Sequence, residues 1–387
     1  MDVRRDVGRL PSLDVLRAIA ILLMVQIHFV QHMAVDPKEA ANGGGSTSIW
    51  LHEGAGLLGC LPAPLFTFLV GLSFWLWLRK QDSLQLSPDR LGVRVVRRGL
   101  LLFGTGIAFA LFIWLPEQVF GWDILTLIGA SFLILYPLRK LPCWALVGLA
   151  VAVFVISPPL RDLTGYEHRW DLVAEEYMPE MTMQDVLLGF VLHGYFPLLP
   201  WIIFPILGYA TGKRFFNDPT GSRSPSWPLL AVGLGLLLAA GLLFPFGNRP
   251  PRFLWGHGTD LSFYPASSSF LLASLAVTLV SLSALHLWID RAGRGRDGMV
   301  LAFFGRYSRY SLTAYIVHHA AHMWPLYLLG AIEGRGPWTY YRRAMSTETA
   351  LLLFLAFTAV FYALLVLWDR KRGRYSLEWF LRWIGDS

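Results

Sequence analysis

Apolar residues run through this chain in long unbroken stretches, not in the short alternating patterns of a half-buried sheet. A helix rises 1.5 Å per residue, so about twenty such residues cross a hydrocarbon core of ~30 Å. Hydropathy predicts about ten crossings. They lie near residues 13–34, 53–78, 95–115, 122–138, 141–157, 186–210, 227–246, 267–289, 299–329 and 348–368. The expected fold class is therefore all-α, a polytopic integral membrane helix bundle. No internal repeat is visible. The longest polar connection, 158–185, is too short for a soluble domain, so residues 1–387 read as a single transmembrane domain.

Composition sharpens this picture. Only 15% of the 387 residues are charged, and the mean hydropathy is +0.49, whereas soluble domains carry about 25% charged residues. The 16 Trp, 14 Tyr and 26 Phe suit aromatic belts at two interfaces. The net charge of +7 raises the question of nucleic acid, but the distribution answers it. Basic residues gather in alternate connections: Arg4, Arg5 and Arg9; Arg79, Lys80, Arg90 and Arg94; Arg139 and Lys140; Lys213, Arg214 and Arg223; Arg291, Arg294 and Arg296; and Arg370 to Arg374. The connections between them hold little positive charge, or, as with 158–185, an acidic excess. Arg249 with Arg252, and Arg335 with Arg342 and Arg343, run against this trend. The positive-inside rule then places both termini in the cytoplasm and leaves no basic surface for nucleic acid. The first span is too long for a cleaved signal and is expected to be retained. Cys60 and Cys143 make no disulfide framework or zinc spacing. The segment 158–185 is a candidate lid or acceptor-binding element, and Tyr375–Ile384 a candidate interfacial helix.

The first span, SLDVLRAIAILLMVQIHFVQHM (Ser12–Met33), carries the most informative chemistry. Ionisable residues inside a span are costly and mark function by default. Arg17 and His28 are separated by eleven steps, within about 20° of three full turns, so they leave the helix on one face, roughly 16 Å apart along its axis. Arginine's planar fork suits a phosphate near the cytoplasmic surface, and neutral imidazole suits removal of a proton from a hydroxyl or amine. The alternative is a snorkelling arginine and a histidine bonded to a backbone carbonyl. Asp14, one turn from Arg17, can orient it.

SLDVLRAIAILLMVQIH resembles the first span of transmembrane acyltransferases, both the acyltransferase-three family and the heparan-alpha-glucosaminide N-acetyltransferase-like family. Later stretches resemble the second of these in the same order. They are PAPLFTFLVGLS (Pro62–Ser73), RRGLLLFGTGI (Arg97–Ile107), ILTLIGAS (Ile124–Ser131), GYFPLLPWIIFPILGYATGK (Gly194–Lys213), FYPASSSFLL (Phe263–Leu272) and FFGRYSRYSLTAYIVHH (Phe303–His319). Ala18 departs from the family's glycine after the arginine but stays small. The resemblance implies transfer of an acyl group, most simply acetyl, from cytoplasmic acyl-coenzyme A to an extracytoplasmic sugar or glycolipid.

Arg17 would then anchor coenzyme A, with Arg97, Arg98 or Arg306 beside it, or these three are ordinary positive-inside flanks. His28 is the expected base. His52 stands before the Pro-Phe segment near the family's working histidine and is the second choice. His318 and Asp123 are expected to contact the acceptor. The remaining histidines, among them His32, His193, His257, His286, His319 and His322, show no three-ligand spacing, so no metal is expected. Gly43–Gly45 reads as loop, not as a phosphate cradle. Direct transfer and passage through an acyl-histidine both remain open. A bacterial inner membrane is the expected location, with lipids as neighbours and homo-oligomerisation open. A transporter or flippase is the alternative, since broken helices and intramembrane charges suit it too, but the inverted repeat that would favour it is not visible.

Overall fold

The computed structural model describes residues 10–37, 48–171, 176–178, 180–216, 226–243, 261–293 and 298–386. The basic residues Arg4, Arg5, Arg9, Arg223, Arg249, Arg252, Arg294 and Arg296, together with Gly43–Gly45 and His257, lie outside them. The principal helices are α1 (Pro11–Met33), α2 (Ile49–Gly59), α3 (Pro62–Ser83), α4 (Pro88–Phe109), α5 (Ile124–Leu138), α6 (Cys143–Leu163), α7 (Met183–Leu188), α8 (Ile203–Phe215), α9 (Ser226–Leu243), α10 (Ser268–Leu285), α11 (Met299–Arg309), α12 (Ser311–Ile332), α13 (Thr347–Arg370) and α14 (Leu377–Asp386). Among the described residues the strands are one short antiparallel pair, β1 (Trp170–Asp171) and β2 (Glu176–Tyr177).

Among the described residues, seven helical stretches are long and apolar enough to cross a membrane. Two shorter apolar helices, Ile124–Leu138 and Ser226–Leu242, add to these. The 22 residues of α12 reach about 33 Å, and its three histidines lower its hydropathy without shortening it. Seven of the ten expected crossings coincide with the long apolar stretches, two with the shorter helices and the ninth with α11 and α12. Two expectations change in detail. The ninth crossing is two helices, α11 and α12, because Tyr310 leaves helical geometry at φ −112, ψ 34. The second starts earlier than expected, with α2, and breaks before Pro62, where a missing N–H costs a helix start nothing.

The contacts divide the chain into two compact units. One holds residues 1–13, 64–294 and 383–387, the other residues 14–63 and 295–382. In the first unit α3 and α8 cross at glycine. A Cβ on Gly71 would overlap the Pro205 carbonyl, and one on Gly208 the Phe68 carbonyl. Small residues let helices approach closely in lipid, where dispersion contact replaces hydrophobic drive. α4 and α5 meet in the same way through Gly99 and Gly129. The acidic connection after α6 is folded down by its aromatics: Tyr166, Trp170 and Tyr177 pack together against Tyr195 and Tyr264. Burial pushes the Tyr166 and Tyr177 phenols upward from their ordinary range. Arg169 bonds Glu180 at 2.6 Å and Asp185 at 2.7 Å. Trp122 holds a left-handed φ of 61, fixed by hydrogen bonds from Tyr195 and Phe196 to the carbonyls of Gly121 and Trp122.

In the second unit Val30 and Ala34 at the end of α1 and the residue just beyond it pack against Ala55 of α2 and Ala350 of α13. The segment before α13 straps the C-terminal end of α1, with the backbone N–H of Arg342 donating to His32 and those of Ala344 and Met345 to Met33. Glu378 of α14 accepts from the backbone N–H of Thr313 at 2.9 Å and from its hydroxyl at 2.6 Å. That carboxylate caps the first turn of α12, where the helix presents unpaired N–H groups.

Candidate active site

α1, α11 and α12 supply the site, all within the second unit from residue 14 onward. At one end Arg17 Nη1 donates to Ser308 Oγ at 3.0 Å, and Ser308 donates to Asp14 Oδ1 at 2.6 Å. Arg17 itself stands 3.7 Å from Asp14, its side chain 24% exposed. Asp14 thus orients Arg17 chiefly through Ser308, a residue the sequence did not single out. The Ser308 hydroxyl, itself bonded to Asp14, aims the guanidinium.

At the other end the histidines gather. Each helix carries two at i and i+4, hence on one face: His28 and His32 on α1, His318 and His322 on α12. They meet as two rungs. His28 Nδ1 lies 2.9 Å from His318 Nε2, and His32 Nδ1 2.8 Å from His322 Nε2. Along α1 the rings stack at 5.0 Å between centroids. His319 sits beside the first rung, 4.4 Å from His28 by ring centroids.

Hydrogen bonds within α12 fix the protons. His318 Nδ1 is 2.8 Å from the Ala314 carbonyl, His319 Nδ1 2.9 Å from that of Tyr315, and His322 Nδ1 2.7 Å from that of His318. A carbonyl only accepts, so these three nitrogens carry hydrogen and each Nε2 carries a lone pair. In each rung the α12 histidine therefore accepts and the α1 histidine donates from Nδ1. For neutral His28 this leaves Nε2 bare. His32, His318, His319 and His322 are buried, whereas His28 is part-exposed. His28 thus combines a basic Nε2 with partial exposure, whereas the other four rings are buried.

His28, His318 and His319 also offer one nitrogen each within 4.8 Å of one another. The expectation that the histidines form no cluster is corrected: residues far apart in sequence converge here.

The other sequence candidates take separate places. His52, on α2, bonds Thr347 Oγ1 at 3.0 Å through Nδ1. Arg306 bonds Asp369 at 2.9 Å and the Tyr362 hydroxyl at 2.7 Å, and Arg309 shares that carboxylate at 2.7 Å, so the Arg306 charge is already matched. Arg97, Arg98 and Asp123 belong to the first unit. Arg97 is exposed, while the Arg98 guanidinium lies 4.6 Å over the Trp77 ring. Asp123 is the N-cap of α5, accepting from the Leu125 N–H at 2.8 Å. His193 pairs with Thr164, and His286 with Asp290, which also holds Ser12.

The family model for heparan-alpha-glucosaminide N-acetyltransferase, catalytic, matches residues 9–241. That is well over half of the chain. The chain belongs to this family. No curated protein matches it. The family is one of acetyltransferases, and with its apolar helices the chain is a membrane member of it. The match takes in Arg17, His28, His52, Arg97, Arg98 and Asp123. It ends before α11 and α12, so Arg306, Ser308 and the α12 histidines enter the site on the geometry alone. One signal for the second rung was legible beforehand: the i, i+4 histidine spacing recurs in both segments.

Proposed function

We propose that the chain moves an acetyl group from acetyl-coenzyme A to a hydroxyl or amine of a sugar-bearing acceptor across a bacterial inner membrane. The whole chain works as one acyltransferase domain, with both termini and the Arg17 end on the cytoplasmic side. Arg17, aimed by Ser308, binds a coenzyme A phosphate. His28 Nε2 removes the acceptor proton, and the acceptor oxygen or nitrogen attacks the thioester carbonyl. The carbon–sulfur bond breaks, and the proton passes from His28 to the leaving thiolate. Apolar walls around the thioester limit hydrolysis. His52, Asp123 and Arg306 are secondary candidates, since each already has a structural partner.

The observation that carries this reading is part-exposed His28, its Nδ1 engaged by His318, on the same helix as the tethered Arg17. Inside-out vesicles loaded with a panel of extracted glycans and given radiolabelled acetyl-coenzyme A outside should label an acceptor in the lumen. His28→Ala should abolish labelling while the purified protein keeps its thermal unfolding profile. Full labelling by that variant removes His28 from the chemistry.

A further inference from the structure

We infer that His318 is the positioning residue of this site, acting on His28 as an acceptor that holds its working tautomer, with the His32–His322 rung keeping α1 and α12 in register. The inference rests on the acyltransferase reading of His28 and adds a role for a helix outside the matched family region. A general base is useful only when the nitrogen facing its substrate is unprotonated, and imidazole places its proton on either nitrogen with little preference. A partner on the far nitrogen settles the choice, as the buried carboxylate does in serine hydrolases. Here the partner is another imidazole. The Ala314 carbonyl holds the His318 proton on Nδ1, so its Nε2 accepts from His28 Nδ1 at 2.9 Å. The second rung repeats the arrangement one turn further on, through the carbonyl of His318 itself.

The step balances without any further reactant. The acceptor proton moves to His28 Nε2 as the new bond to the acyl carbon forms. The positive charge is shared across the Nδ1–H···Nε2 bond to His318. When the carbon–sulfur bond breaks, the same proton passes to sulfur, and both imidazoles return neutral in their starting tautomers. A neutral partner, unlike a carboxylate, leaves no fixed anion in the hydrocarbon layer between turnovers, where an unpaired charge is costly. His318 is buried at 0% exposure, so contact with the acceptor falls to His28 and not to His318.

The test uses full-length protein in nanodiscs with 15N-labelled histidine, the His28 signals being assigned from the spectrum of His28→Gln. Wild type should show His28 protonated at Nδ1 and bare at Nε2. His318→Gln places an amide oxygen near the same point and should keep that tautomer. His318→Leu should lose it. With acetyl-coenzyme A and membrane glycan extract, His318→Leu should turn over at least about a hundredfold more slowly, with an unchanged KM for the donor, and His318→Gln should recover most of that loss. A His28 protonated at Nε2 in wild type, or equal tautomers in the Leu and Gln variants, overturns the inference. So does loss of activity to a chelator with return on adding zinc, because the three nitrogens would then serve a metal. Turnover by His28→Ala would sink the base assignment instead, and the tautomer spectra report regardless of it.

Discussion

Arg17 and Arg306 show how one residue type takes two roles. Arg306 meets a carboxylate at 2.9 Å and a phenol, whereas Arg17 meets a hydroxyl at 3.0 Å and stands off from Asp14 at 3.7 Å. A guanidinium's planar fork of donors suits an external phosphate. Removing Arg17 should weaken acetyl-coenzyme A binding tenfold or more, about 1.4 kcal/mol. Ser308→Ala should weaken it less, since the charge survives and only its aim is lost. Titration calorimetry of the two purified variants checks the order, and equal affinities for wild type and Arg17→Ala would remove the phosphate role.

At the scale of elements, helix crossings depend on missing side chains. Gly208 of α8 lies against the Phe68 carbonyl of α3, and Gly71 of α3 against the Pro205 carbonyl of α8. A methyl group at either position has backbone on its far side, which no rotamer change relieves. Gly208→Ala should cost about 1–3 kcal/mol, and Gly208→Leu should prevent accumulation of folded protein. Thermal unfolding in detergent measures the first. Gly104 has open space at its Cβ and serves as the control, with Gly104→Ala expected to be neutral or slightly stabilising. Within the second unit Glu378 caps α12 from another helix, so the terminal segment helps hold the element that presents His318.

For the molecule as a whole, the described residues after α6 are held by an aromatic cluster of Tyr166, Trp170 and Tyr177. Its tyrosines make it sensitive to alkali. Burial raises the phenol pKa values of Tyr166 and Tyr177 in the folded protein, while an unfolded tyrosine ionises near about 10. Above that pH the opened segment binds fewer protons than the folded one, so opening is favoured. Its stability is complete below about pH 10 and falls as pH rises toward the higher folded values. Limited proteolysis should cut between α6 and α7 progressively faster across that range, and Tyr177→Phe should blunt the effect. A cleavage rate independent of pH would show that the cluster does not depend on neutral phenols.

The sequence alone determined what depends on local composition and period. Runs of twenty apolar residues must span or aggregate, so the long apolar helices were legible. The 3.6-residue turn put Arg17 and His28 on one face before any fold was known. The family motifs in the first half, beginning with SLDVLR, were equally legible. Only the tertiary structure decided the partners. His28 and His318 are 290 residues apart, and no spacing rule pairs two histidines on helices whose crossing is set by packing. Which imidazole donates follows from backbone carbonyls in α12, a fact of hydrogen-bond geometry and not of residue type. The same holds for Ser308 beneath Arg17 and for the Asp369 carboxylate that engages Arg306. A charge's use depends on its nearest counter-charge, and nearness is a property of the folded chain.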